Sequence, residues 1–375
     1  MFMKVRLAAR AAAALCLLAL SWSVCLRAEA NSAQTSWSGT DSSGLVVSDG
    51  ECPVVVRSET LTFCAEQFPL SYYDSEEAFA SYSGKVTAEY ALYNPSDYTV
   101  SATLLFPFGT EPTYAPYQDD GAPYDDTSRY DVTADGAPVQ TRIRYTLMRY
   151  GEDFDLDSDL QLLTSGYYDD GFFRPGMTVT EYVYRPALTD KSSSSASVAF
   201  DAPANMSDCA VFFPQRSGFR TQFDGNLRLS AWAGDEEYVI YSFGQPLPFE
   251  PEWRFYADGG VRDGDEIDGS MSLAQTRTLD FKTFALSLRP EDSQVSDMDW
   301  FNAVAVNLCR DMTGGVCLAE SFDPAHELMR WYEYDITVAP RSSIVNTVSA
   351  PLYPSIDSSY DPSVYGYTYL LSART

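Results

Sequence analysis

One histidine, His326, and four lysines, Lys4, Lys85, Lys191 and Lys282, are all that a chain of 375 residues holds of these types. A multi-histidine zinc or iron centre is thereby excluded, and a Ser/His/Asp or Cys/His mechanism would have to run through His326. No G-x-S-x-G elbow accompanies it. With Asp323 and Glu327 beside it, His326 reads as a surface or capping residue. There is no C-x-x-C pair, which removes thioredoxin-like redox chemistry and zinc ribbons. Glycine-rich βαβ crossovers are missing as well, which disfavours a nucleotide-binding α/β fold. Positive charge is also short: 25 basic residues face 53 acidic ones, for a net charge of −28. Nucleic acid and anionic lipid surfaces need clustered Lys and Arg, so neither is an expected partner. Beyond residue 24 no apolar run approaches the roughly 20 residues of a bilayer span, and no membrane span is expected in the mature chain.

What is present begins with Lys4, Arg6 and Arg10, an apolar run from Ala11 to Val24, and Ala28-Glu29-Ala30. That order is a secretory signal peptide over 1–30, cleaved near Ala30, and it predicts a protein secreted or held at the cell surface. Removing it leaves a net charge of −31. Residues 31–49 are rich in Ser, Gly, Thr and Asp and read as a flexible leader. The terminal alternation of Tyr365, Tyr367, Tyr369 and Leu371 resembles a strand entering a core, and one reading takes the chain as the front of a longer, anchored product.

Between these ends the period is two. Val86, Ala88, Tyr90 and Leu92 alternate with polar or small residues, Asn94-Pro95-Ser96-Asp97 turns the chain, and Tyr98 to Phe106 resumes the alternation, which predicts a hairpin. The pattern recurs at Ile143–Leu147, Met177–Val183, Phe284–Leu288 and Tyr332–Val338. Many short strands predict a mainly β fold of antiparallel β-sandwich layers or domains. The expected division is an N-terminal β-sandwich over 50–200 and a second β-rich domain over 201–375. Two helices are expected in the second half. Ser296-Asp297-Met298-Asp299 caps one near 296–310, and Asp323-Pro324 opens another near 324–330.

The stretch VTAEYALYNPSDYTVSATLLFPFG from Val86 to Gly109, followed by VTADGAPV from Val132 to Val139, resembles uncharacterised exported β-sandwich proteins of Gram-positive bacteria. In style it is similar to the vault/inter-alpha-trypsin type of domain, where an apolar strand closes in a Phe-Pro step. The resemblance implies architecture and transfers no functional residue.

Five cysteines follow the presequence. Cys309 and Cys317 enclose Gly314-Gly315, and Cys52 with Cys64 are placed to bridge neighbouring strands, so both pairs are disulfide candidates. Asp153, Asp155, Asp157 and Asp159 alternate like a calcium loop. Ser158 and Thr164 stand where an EF-hand needs Gly and Glu, so only looser coordination of Ca²⁺ is left to them. No other cofactor is expected. Rings beside carboxylates, Tyr114 and Tyr117 next to Asp119-Asp120 and Tyr167, Tyr168, Phe172 and Phe173 around Asp169-Asp170, suit sugar stacking, protein contact or core packing. Lys282, on the predicted face of Phe284 and Leu286, is the candidate for a Lys–Asn crosslink. The functional expectation is a non-enzymatic binding or structural module whose partner is a protein or glycan at the cell exterior. The alternative is an extracellular carbohydrate-active hydrolase working through a carboxylate pair.

Overall fold

Val86, Ala88, Tyr90 and Leu92 are buried, with Lys85 and Glu89 exposed between them. One covered face on an extended strand is the rule from which most of this chain is built. In the computed structural model the described residues are 46–47, 52–65, 84–109, 127–148, 155–188, 196–206, 208–234, 237–262, 265–319, 327–352, 355–357, 359–360 and 364–367. All lie within the unit Ser36–Thr375. The chain first forms β1 (Val46–Val47), β2 (Val55–Cys64), β3 (Gly84–Tyr93), β4 (Val100–Gly109), β5 (Asp131–Ala134), β6 (Ala137–Pro138) and β7 (Thr141–Leu147). Then follow α1 (Leu156–Ser165), β8 (Thr178–Leu188), β9 (Ser197–Ala202), β10 (Cys209–Phe212), β11 (Gly218–Thr221), β12 (Leu227–Trp232) and β13 (Tyr238–Gly244). Beyond them come β14 (Arg254–Tyr256), β15 (Glu266–Ile267), β16 (Gly269–Asp280), α2 (Phe281–Ser287) and α3 (Asp297–Arg310). The last elements are β17 (Met312–Thr313), β18 (Val316–Cys317), β19 (Leu328–Val338), β20 (Ser343–Leu352), β21 (Ser355–Asp357) and β22 (Val364–Gly366). The fold is mainly β, with several antiparallel sheets packed together, as the alternation predicts.

Two sheets, ordered β1-β4-β19-β7 and β2-β3-β20-β5-β6, enclose a core of Tyr90, Leu92, Leu104, Phe106, Phe108, Tyr334 and Val348. Here the predicted hairpin is corrected. β3 pairs with β2 and β20, whereas β4 pairs with β1 and β19, so Asn94–Asp97 carries the chain from one sheet to the other. Both strands bury the same face because they look at each other across the core rather than lying side by side. The arch from β19 to β20 runs alongside, and fully buried Asn94 ties the two together. Its side-chain amide donates to the carbonyls of Tyr98 at 2.7 Å, Val338 at 3.0 Å and Ala339 at 3.2 Å, and its Oδ1 accepts from the Ser96 amide at 2.9 Å. Such full use of a buried amide is what keeps its burial from being destabilising.

Strand pairing does not follow a linear division at residue 200. β8, before that point, pairs with β13 and β16 after it, and β19 and β20 return to pair with β4, β7 and β3. Residues 148–327 are therefore inserted into the first sandwich. Their entry and exit are zipped together, Leu147 facing Leu328 and the Met148 amide donating to the Glu327 carbonyl at 2.6 Å.

Within the insert, the sheet β16-β8-β13-β10-β18-β17 is covered on both sides. One face packs Tyr184, Val211, Phe213 and Ile240 against Val198, Phe200, Leu229 and Phe255 of the sheet β11-β12-β9-β14-β15. The other packs Val179, Phe212 and Phe243 under Phe281 and Phe284 of α2 and Trp300, Phe301 and Val304 of α3. The expected strand through Phe284, Leu286 and Leu288 is thus a helix as far as Ser287. Asp280 caps it by accepting from the Thr283 amide, and Phe281, Phe284 and Ala285 fall at the i, i+3, i+4 spacing that buries one helical face. The expected helix near 324–330 is corrected too. Leu328 to Arg330 already belong to β19, a central strand whose backbone is engaged by β4 on one side and β7 on the other. Residues 320–326, His326 among them, lie outside the described residues.

α3 begins at Ser296, whose hydroxyl accepts from the Asp299 amide, and every residue from Asp299 to Leu308 is buried. An amphipathic helix would bury one face; α3 buries all of them because it lies between the insert's central sheet and β7 of the first sandwich. There it meets a buried charge cluster. Arg144 of β7 reaches Asp299 through Nε, at 3.1 and 3.0 Å from the two oxygens, and through Nη2 at 2.9 Å. Its Nη1 is 2.5 Å from Glu333 of β19, which also pairs with Arg142. The Asp299 side chain is 1 % exposed and that of Glu333 6 %.

Removing the guanidinium leaves Asp299 buried without its cation and Glu333 with Arg142 alone, and breaking a buried pair in this way typically costs about 3–5 kcal/mol. Arg144→Met is therefore expected to lower the unfolding free energy by that amount in urea titrations. Arg144→Met with Asp299→Asn is expected to cost less than the sum of the two single changes.

Candidate functional site

The sequence-predicted site residues disperse in the structure. Asp155 is the N-cap of α1: its carboxylate accepts from the Ser158 amide at 3.2 Å and hydroxyl at 2.7 Å, and these bonds hold its pKa below the usual carboxylate value. Asp157 and Asp159 lie in the first turn of that helix, and Asp153 lies outside the described residues. Alternate positions converge on an ion only along an extended loop; wound into a helix they point apart. No group of three or more His, Cys, Asp or Glu side chains is gathered for a metal among the described residues.

The cysteine pairs are separated as well, and all five are free thiols. Cys52 and Cys64 flank β2, whose ten extended residues hold them roughly 30 Å apart. The Cys317 thiol donates to the Leu308 carbonyl at 3.2 Å in the core, whereas Cys309 faces outward to Asp170. Lys282 is on α2, donating to the Tyr167 hydroxyl at 2.7 Å and stacked on that ring, and not beside an asparagine on a strand. Tyr114, Tyr117, Asp119 and Asp120 lie outside the described residues.

The Tyr167–Phe173 cluster leads to a surface that does come together. Asn302, buried in α3, accepts from the Tyr168 amide at 2.7 Å and donates to the Gly166 carbonyl at 2.9 Å, so the loop after α1 is bound to the helix. Asp169 accepts from the Gly171 amide, and Asp170 accepts from the amides of Phe172 at 2.9 Å and Phe173 at 2.6 Å, folding the loop into tight turns. Phe173 is buried against Phe243 and Phe281, with centroids 5.7 and 5.3 Å away. Tyr167 packs edge-on against Phe301. Of the four rings flagged in the sequence, Phe173 serves the core, Tyr167 and Tyr168 pack half-buried against α3, and half-buried Phe172 faces a cleft.

That cleft, about 320 Å³, lies at the end of the central sheet where β8 begins, β13 ends and β10 begins. Gly171, Phe172, Arg174, Met177, Asp208, Gly244 and Gln245 line it. Gly244 has φ +85°, and a side chain there would meet the Asp208 carbonyl at 2.7 Å and the Phe172 ring at 3.2 Å, so its lack of a Cβ keeps the floor open. Arg174, Asp208 and Gln245 are exposed. The Arg174 guanidinium makes one long bond, 3.5 Å to the Gly171 carbonyl; among the described residues the Asp208 carboxylate and the Gln245 amide make none. Sequence reasoning passed over these three polar residues. Nothing local marks them, since they converge from three separate connections of the chain.

Behind the loop, the Tyr168 hydroxyl donates to Asp170 at 3.3 Å and to Cys309 at 3.4 Å, and the Cys309 thiol donates to Asp170 at 3.4 Å. Burial pushes the Cys309 thiol up, and Asp170 adds to that against the bond from Tyr168. An environment of this kind disfavours the thiolate.

Asp159, 5 % exposed, has its pKa pushed up to about 7 by burial and by Asp155, against the Thr146 hydroxyl and Arg310, which favour the charged form. Native Asp159 thus holds a proton that the unfolded chain releases near pH 3.8, so its contribution to stability falls as pH rises from about 4 to 7 and is constant above. Asp159→Asn is expected to leave stability unchanged at pH 4 and to raise it at pH 8, by on the order of 3 kcal/mol. Urea titrations across this range read the difference. No known protein family, curated protein or solved structure matches the chain.

Proposed function

We propose that this chain is an exported bacterial protein, secreted or held at the cell surface, that works as a non-enzymatic binding module for a protein or glycan ligand at the cell exterior. Export rests on the presequence from Lys4 to Ala30. Binding rests on one observation: a loop locked to α3 by Asn302 presents an open cleft whose Arg174, Asp208 and Gln245 side chains make almost no bonds among the described residues. Polar groups left uncommitted on a rigid concave surface are available to a ligand without prior rearrangement, which lowers the entropy cost of binding. Paired-carboxylate hydrolysis asks for two acids roughly 5–10 Å apart across the scissile bond, and the lining residues supply one, Asp208.

The test is a panel of cell-wall glycan fragments, neutral oligosaccharides and short peptides titrated into the full chain by calorimetry, with product release followed in parallel. Saturable binding of a panel member without turnover is expected, and Gly244→Ala, which fills the floor, is expected to weaken it at least tenfold. Reducing ends released in proportion to protein would replace the binding reading with the hydrolase. A panel with no binder would end it.

A further inference from the structure

Two opposite charges line one small cleft without pairing. Arg174 and Asp208 make no ion pair with each other or with any other described residue, and the Arg174 guanidinium keeps most of its donors free. Several other arginines are paired closely: Arg228 with Asp201 at 2.7 Å, Arg277 with Glu181 at 2.6 Å and Arg289 with Asp297 at 2.7 Å. Arg174 and Asp208 instead line one common cavity. Resting on the cleft being the binding site, we propose that it takes a zwitterionic ligand, an amino acid or short peptide, whose carboxylate meets Arg174 and whose ammonium group meets Asp208.

Three considerations favour this class over other ligands. A guanidinium matches a carboxylate bidentately, and a carboxylate accepts from an ammonium group, so each ligand charge finds a charge-assisted partner of the stronger kind. A ligand carrying both charges brings no net charge into the field of a chain at −28, whereas a plain anion would be repelled from it. The space also suits a small molecule: about 320 Å³ is at the lower end of ligand sites, with Phe172 and Met177 for a short apolar side chain and Gln245 for a peptide group.

The probes are Ala-Ala, N-acetyl-Ala-Ala and Ala-Ala amide, titrated into the ¹⁵N-labelled full chain while the amide signals of Gly171 and Gly244 are followed. Ala-Ala is expected to shift both signals, and each capped form to bind at least tenfold more weakly. Asp208→Asn is expected to abolish the discrimination against the acetylated form, and Arg174→Met that against the amide. Both side chains are exposed, so a melting midpoint equal to wild type confirms that the variants are folded. Equal affinity for the three forms, or variants that keep the wild-type discrimination, would overturn the proposal. If N-acetylglucosamine oligomers shift these signals and Ala-Ala does not, the ligand class falls and the cleft remains a binding site. If no probe moves them, both fall.

Discussion

One guanidinium, that of Arg144, stands between the two halves of this protein. Asp299 comes to it from the inserted helix α3 and Glu333 from the central strand β19 of the first sandwich. Two carboxylates at 1 % and 6 % exposure are tolerable only because that cation, with Arg142 at the rim, lies against them. Apolar residues of the same volume commonly stabilise as much as a buried ion cluster. Geometry is what the charges add. Arg144 Nη2 also approaches the Leu163 carbonyl of α1 at 3.3 Å, and Asp299 accepts from the Tyr145 amide at 3.2 Å, so β7, β19, α1 and α3 are held in one register. Apolar packing alone permits sliding between elements, and directional bonds from a planar group do not.

The cleft inherits its rigidity from this register. Asp299 and Asn302 are three residues apart on α3, neighbours one turn apart. One engages the first sandwich and the other holds the Gly166–Tyr168 backbone. A single turn in the buried stretch of α3 thus links the strand pair that delivers the insert to the loop that shapes the cleft. A shift of α3 would move both together. The edge-on and tilted cluster of Phe173, Phe243, Phe281 and Phe301 braces the same loop from below.

Where one face of an element is covered, its periodicity was legible. The alternation in β3 and in β19 from Tyr334 onward survives in the burial pattern, and Ser296 caps α3 as its residue type suggests. Periodicity was silent on which surface covers each face. β3 and β4 alternate in phase whether they lie side by side or across a core, and Asn94, which decides it, acts through carbonyls near residue 338 that no local pattern reveals. Leu105 shows the same limit. It is buried out of phase because Leu156 and Leu163 of α1 cover the outer face of β4. The insertion was invisible for a similar reason: Leu147 and Leu328 are partners 181 positions apart. The aspartates from 155 to 159 show the limit of spacing itself, since alternate positions converge on an extended loop and diverge on a helix.

The cleft was illegible for a further reason, which bears on how a strongly acidic protein recognises anything. With 53 acidic residues among 375, composition makes every carboxylate look alike, and the informative one is identified by what it does not touch. Asp201, seven positions earlier in β9, has Arg228 and Arg254 against it, whereas exposed Asp208 has no arginine among the described residues. At physiological salt, fields between exposed charges fade within about 8 Å. The overall charge therefore acts only on molecules already close to the surface, and discrimination within the cleft falls to the few groups at its wall. Arg174 and Asp208 present a local dipole on a chain whose net charge is −28, and a dipolar ligand gains from the first without working against the second.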